Sequence, residues 1–85
     1  MPLSGPDWLA KRGGDVRPAT FGDSWLVLLA GEPQYRLTPI PADGKYSCHV
    51  IQTVNGKRFD KGRTFATKED SLRGGLEDLR EALGW

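Results

Sequence analysis

A single cysteine and a single histidine are all this chain offers toward disulfides, zinc sites or thiol chemistry. One cysteine excludes an internal disulfide framework and suits a reducing compartment, so the expected location is cytoplasmic. Cys48 and His49 are neighbours in sequence; on a strand they point to opposite faces and cannot form a thiol–imidazole pair. Together they fall short of the roughly four ligands a structural zinc needs, so no metal is expected. No phosphate-binding glycine loop or dinucleotide fingerprint is present, and no cofactor is implied. Nothing approaches the ~18 consecutive apolar residues of a membrane span. The opening MPLSGPDWLAK lacks a basic segment followed by an apolar one, so no secretory signal is expected. The paired carboxylates Glu69-Asp70 and Glu77-Asp78 read as the solvated face of a helix, with Glu69 and Arg73 as an i, i+4 pair. The expectation is a protein that is not an enzyme.

What is present organises itself around the last helix. Leu72, Leu76, Leu79 and Leu83 fall at i, i+4, i+7 and i+11, one stripe of an α-helix read from Thr67 to Leu83. Thr67 can cap its start, with Asp70 reaching back, and Gly84 suits a left-handed end with Trp85 folding back. Gly74-Gly75 inside the helix costs roughly 1 kcal/mol per residue relative to alanine. Either the missing side chains admit a partner or, as preferred, they mark where the helix crosses a sheet. One leucine stripe cannot bury itself, and the 85-residue chain is long enough for one small domain that supplies the other layer.

Residues 1–23 are rich in glycine and proline and read as an N-terminal arm. Ser4 to Leu9 can open a short helical turn ending at Gly13-Gly14, with Trp8 and Leu9 as an anchor; a mobile arm is the equal alternative. Residues 24–85 read as a ββββα domain. Ser24 to Leu29 is almost wholly apolar, which implies a central strand or one buried on both faces. Gln34 to Ile40 alternates, and Pro39 and Pro41 remove ladder donors, which places this strand at an edge or stops it early. Ala42 to Lys45 reads as a tight turn. Lys45 to Val54 is the clearest strand, with Tyr46, Cys48 and Val50 on one face. Asn55-Gly56 predicts a two-residue hairpin turn that pairs Gln52 with Phe59, Val50 with Lys61 and Cys48 with Arg63. That register puts Lys61 and Arg63 on the core face, so a bulge or bend at Asp60-Lys61-Gly62 must turn them outward.

The net charge is only +1, but it is unevenly spread. Lys45, Lys57, Arg58, Lys61 and Arg63 face Asp60 alone across the middle of the chain, whereas the helix segment is acidic. Cations along a hairpin near aromatic residues are what neutralising phosphates and stacking bases require. The order of elements and the segment Asp60-Lys61-Gly62-Arg63-Thr64-Phe65 resemble the Whirly-related family of single-stranded-DNA-binding transcriptional coactivators. In that family a basic strand leads into the helix, and the resemblance implies a dimer whose curved sheets hold the strand. The junction from Gly62 to Asp70 is also similar to plant ethylene-response-type DNA-binding domains and recombinase arm-binding domains, which set a three-stranded sheet in the DNA major groove.

The reading is an α+β domain: a four-stranded antiparallel β-meander with one C-terminal helix packed on one face. Its expected function is non-enzymatic binding of single-stranded or duplex nucleic acid. Lys57, Arg58, Lys61 and Arg63 would contact phosphates, Lys45 and Arg36 would add to them, and Tyr35 would stack. The alternative is a protein-interaction or homodimerisation module using a sheet edge or Trp85 with the acidic helix face.

Overall fold

The computed structural model describes residues 5–20 and 22–85. It is an α+β fold: helix α1 (Asp7–Ala10), then strands β1 (Gly14–Pro18), β2 (Trp25–Leu29), β3 (Glu32–Ala42), β4 (Lys45–Gln52) and β5 (Thr64–Phe65), then helix α2 (Lys68–Leu83). The five strands form one antiparallel sheet in sequence order, and α2 packs across one face of it. The meander therefore has one strand more than the sequence suggests. The extra strand is β1, inside the stretch read as an arm. Its five residues contain a single large apolar side chain, Val16, and end at a proline, so no strand pattern stands out. The expected helix start at Ser4 lies outside the described residues. The rest of that turn forms as α1, and it is an anchor: Leu9 is fully buried. Leu9 lies where a side chain at Gly14 would be, since a methyl there would meet Leu9 Cδ1 at 2.5 Å.

The core lies between the sheet and α2. Val16, Val27, Tyr35, Leu37, Cys48 and Val50 supply the sheet side, and Leu72, Leu76 and Leu79 supply the helix side. Thr67 Oγ1 accepts the Asp70 N–H at 3.1 Å, and Gly84 ends the helix at φ 73°. Both helix glycines face the sheet: a methyl at Gly75 would stand 2.5 Å from Cys48 Sγ, and one at Gly74 would overlap the Phe65 ring. The close approach is to the sheet of the same chain.

Two strand expectations change. Despite Pro39 and Pro41, β3 is the middle strand and runs through to Ala42. β2 pairs with β3 no further than Leu37, while Pro39 and Pro41 lie opposite Cys48 and Tyr46 of β4. Gln34 C=O accepts the Thr53 N–H from the β4 side. By alternation the two prolines turn their missing donors to the side where β2 has already ended.

The hairpin after β4 is also looser than Asn55-Gly56 predicts. Ile51 bridges Arg58, Gln52 N–H donates to Lys57 C=O and Phe59 N–H donates to Val50 C=O, which leaves a four-residue turn over 53–56. Further along, Tyr46 pairs with Phe65 and Ser47 with Thr64, in the predicted register. Asp60 to Arg63 thus span the length that Cys48 and His49 span on β4. The bend falls at the expected place, with Gly62 at φ 72°.

Candidate nucleic-acid interface

Alternation along the strands assigns the face opposite α2. Asp15 and Arg17 of β1, Leu26 and Leu28 of β2, Arg36, Thr38 and Ile40 of β3, and Ser47, His49 and Ile51 of β4 point that way. No described element covers this face. The antiparallel register aligns five of its residues in one row: Arg17 opposite Leu26, Leu26 opposite Arg36, Arg36 opposite Ile51, and Ile51 opposite Arg58. With strands about 4.8 Å apart, arginine recurs at every second strand, roughly 10 Å apart. A second row runs beside it, where Ser24 and Thr38 hydroxyls meet at 3.0 Å and Thr38 lies opposite His49.

The three arginines differ in how they are held. Arg58 grips Asp60 with Nε at 3.1 Å and Nη2 at 2.7 Å. Asp60 also accepts the Val50 N–H at 3.1 Å, so its side chain takes the place of a strand where the ladder is interrupted. The Arg58 hydrogen bonds hold the Asp60 carboxyl below its ordinary range, against the opposing effect of burial. The same contact raises the Arg58 guanidinium. Arg17 pairs loosely with Asp15 at 3.4 Å, both well exposed. Arg36, exposed in the middle of the row, has no ion pair among the described residues.

Five expected contact residues lie off the arginine row. Tyr35 is 7% exposed on the core face, with its ring edge-on to Phe59 at 5.7 Å, and cannot stack a base. Lys61 and Arg63 are turned out of the core as expected, but into the acidic helix rather than to solvent. Lys61 Nζ lies 2.5 Å from Glu81, and Arg63 Nη2 lies 2.6 Å from Asp78 and 3.1 Å from Gly74 C=O. Lys57, opposite Gln52, falls on the helix side of the hairpin with Nζ 5.5 Å from the Phe59 ring centroid. Lys45 shares the free face, but six residues along β4 from Ile51 place it about 20 Å from the arginine row.

Of the expected set, the fold brings together only Arg36 and Arg58. Arg17 was hidden in the supposed arm; its signal was the alternation Gly14-Asp15-Val16-Arg17, too short to stand out. Asp78 departs from the solvated reading too. Its side chain is 5% exposed and accepts from both Arg63 and the Lys61 N–H. Cys48 and His49 do point to opposite faces. Burial pushes the Cys48 thiol up to about 12, so it stays protonated at neutral pH. No family model, curated protein or solved structure matches the chain.

Proposed function

We propose that this domain binds nucleic acid, without catalysis, through the helix-free face of its sheet. The observation that carries the reading is the alternating row Arg17, Leu26, Arg36, Ile51 and Arg58. Guanidinium groups make planar, bidentate contacts to phosphate oxygens, and the aliphatic residues between them offer flat contact to sugars and bases. Five of the eleven acidic residues sit on α2, away from this face, while Asp15 and Asp60 pair with Arg17 and Arg58 and leave Arg36 as the row's unpaired cation among the described residues. The earlier set of phosphate contacts narrows accordingly to Arg17, Arg36 and Arg58, with Lys45 and Lys57 at the margins.

Fluorescence polarisation against single-stranded and duplex oligonucleotides at two salt concentrations tests the reading. Binding should weaken with salt, and the combined variant Arg17→Ala/Arg36→Ala/Arg58→Ala should flatten that dependence by a slope of about 2–3 on duplex DNA. A control variant, Lys61→Ala, should bind like the parent. Absence of salt-dependent binding, or unchanged affinity in the triple variant, sinks it.

A second reading rests on the same face. Leu26, Leu28, Ile40 and Ile51 are only half-buried there, which favours a homodimer with sheets stacked face to face. A dimer by light scattering that binds no oligonucleotide would support that reading over the first. The lone buried thiol suits a reducing cytoplasm for either.

A further inference from the structure

On the helix side of the molecule, α1 and the end of α2 enclose a cleft of about 400 Å³ lined by Asp7, Trp8, Lys11, Arg12, Arg80 and Trp85. The two indoles meet edge to face with ring centroids 6.2 Å apart. Arg12 lies over the Trp85 ring at 4.9 Å, and Arg80 lies 6.0 Å from the Trp8 centroid. Neither Lys11 nor Arg12 has an ion pair among the described residues, and Arg80 reaches Glu77 only at 3.9 Å. Three cations therefore stand around a cleft whose lining holds one carboxylate. The Trp8 Nε1–H is shut off from solvent and has no acceptor among the described residues. Water does not reach that edge, so the cleft is offered the ring of this indole rather than its N–H.

We propose that this cleft is a second binding site, for a phosphate monoester carried on a flat ring. The three cationic side chains of the lining outnumber its single acidic one, which favours an anion, and a phosphate offers several oxygens to the two guanidinium groups. Arg12, held over the Trp85 face, keeps N–H edges free for bidentate contact with oxyanions, and Arg80 adds a second guanidinium to the lining. The paired indoles supply an apolar wall for the ring, and the cleft volume falls within the range of about 300–1,000 Å³ that small-ligand sites occupy. The site is independent of the sheet face and holds whether or not that face binds nucleic acid.

The indole N–H signals of the three tryptophans give the test. Titration of the full chain with phenyl phosphate should move the Trp8 and Trp85 signals and leave Trp25 in place. Inorganic phosphate and benzyl alcohol, each lacking half of the ligand, should bind at least tenfold more weakly. Arg12→Gln and Arg80→Gln should each weaken phenyl phosphate at least tenfold while the remaining spectrum is unchanged. Adenosine monophosphate binding tighter than phenyl phosphate would identify a nucleotide as the source of the ring; the reverse order would identify a simpler aryl phosphate. Static Trp8 and Trp85 signals at millimolar phenyl phosphate would overturn the proposal. So would inorganic phosphate binding equally well, or undiminished affinity in the Arg12→Gln/Arg80→Gln double variant.

Discussion

Replacing Asp78 with alanine strands two donors at once, the Arg63 guanidinium and the Lys61 N–H. Because Arg63 is about half exposed and water can compensate it in part, the expected loss is about 2 kcal/mol, less than for a wholly buried pair. Urea denaturation of Asp78→Ala measures it, and a change within error of zero would mean that the carboxylate does not hold the bend. Asp60 makes a pH prediction. Its folded carboxyl is held below its unfolded value, chiefly by Arg58, so the unfolded chain takes up the proton first as pH falls. The stability from this contact is therefore complete above the ordinary aspartate range, near ~3.9, and is lost as pH drops through the folded value. Asp60→Asn should lose part of that acid sensitivity; an identical slope of stability against pH would contradict it. Cys48, with its thiol raised to about 12, should react with thiol reagents only as fast as the core opens, and promptly in denaturant. None of these roles is legible in the sequence, where Asp60 and Asp78 look like any other surface carboxylates.

The helix α2 sets two local rules against each other. By intrinsic propensity, alanine at Gly75 should stabilise the helix by about 1 kcal/mol. The methyl, however, would meet Cys48 Sγ at 2.5 Å and Val50 Cγ2 at 3.3 Å on a central strand that has little room to move. Overpacking of this kind costs about 1–3 kcal/mol, so Gly75→Ala should lower the melting temperature. Gly74→Ala should cost less, because the obstructing atoms are the far end of the Phe65 ring on the two-residue strand β5. A Gly75→Ala protein more stable than the parent would mean that the helix stands off the sheet. The helix itself was readable from its leucine spacing, its threonine cap and its final glycine, all local features. The register of the last hairpin was half readable. The β5 pairing followed from counting residues, but the wider turn over 53–56 comes with a contact that counting does not reveal, the Val50 N–H donating to the Asp60 carboxylate ten residues on.

For the molecule as one body, the first question is whether the N-terminal segment belongs to it. Leu9 is fully buried and Val16 is 7% exposed, so both are core residues. Leu9→Ala should cost about 2–5 kcal/mol, and a chain cut to residues 24–85 should lose cooperative unfolding. A truncated chain that melts like the parent would restore the arm. The distribution of charge belongs to this level as well. The basic middle of the chain divides on folding: Lys61 and Arg63 neutralise the acidic helix, while Arg58 joins Arg36 and Arg17 across the outer face.

Periodicity and capping are properties of neighbouring residues, and from them alone the sequence determined an antiparallel meander, a helix laid across it and the bend at Gly62. Folding decided which cations remain available, because pairing across the sheet and ion pairing with α2 join residues far apart in the chain. Arg17 meets the row through β1–β2 pairing, and Arg63 leaves it through Asp78, fifteen residues on. The energy of a charge depends on what stands within a few ångströms of it, and for these residues only the folded chain supplies those neighbours.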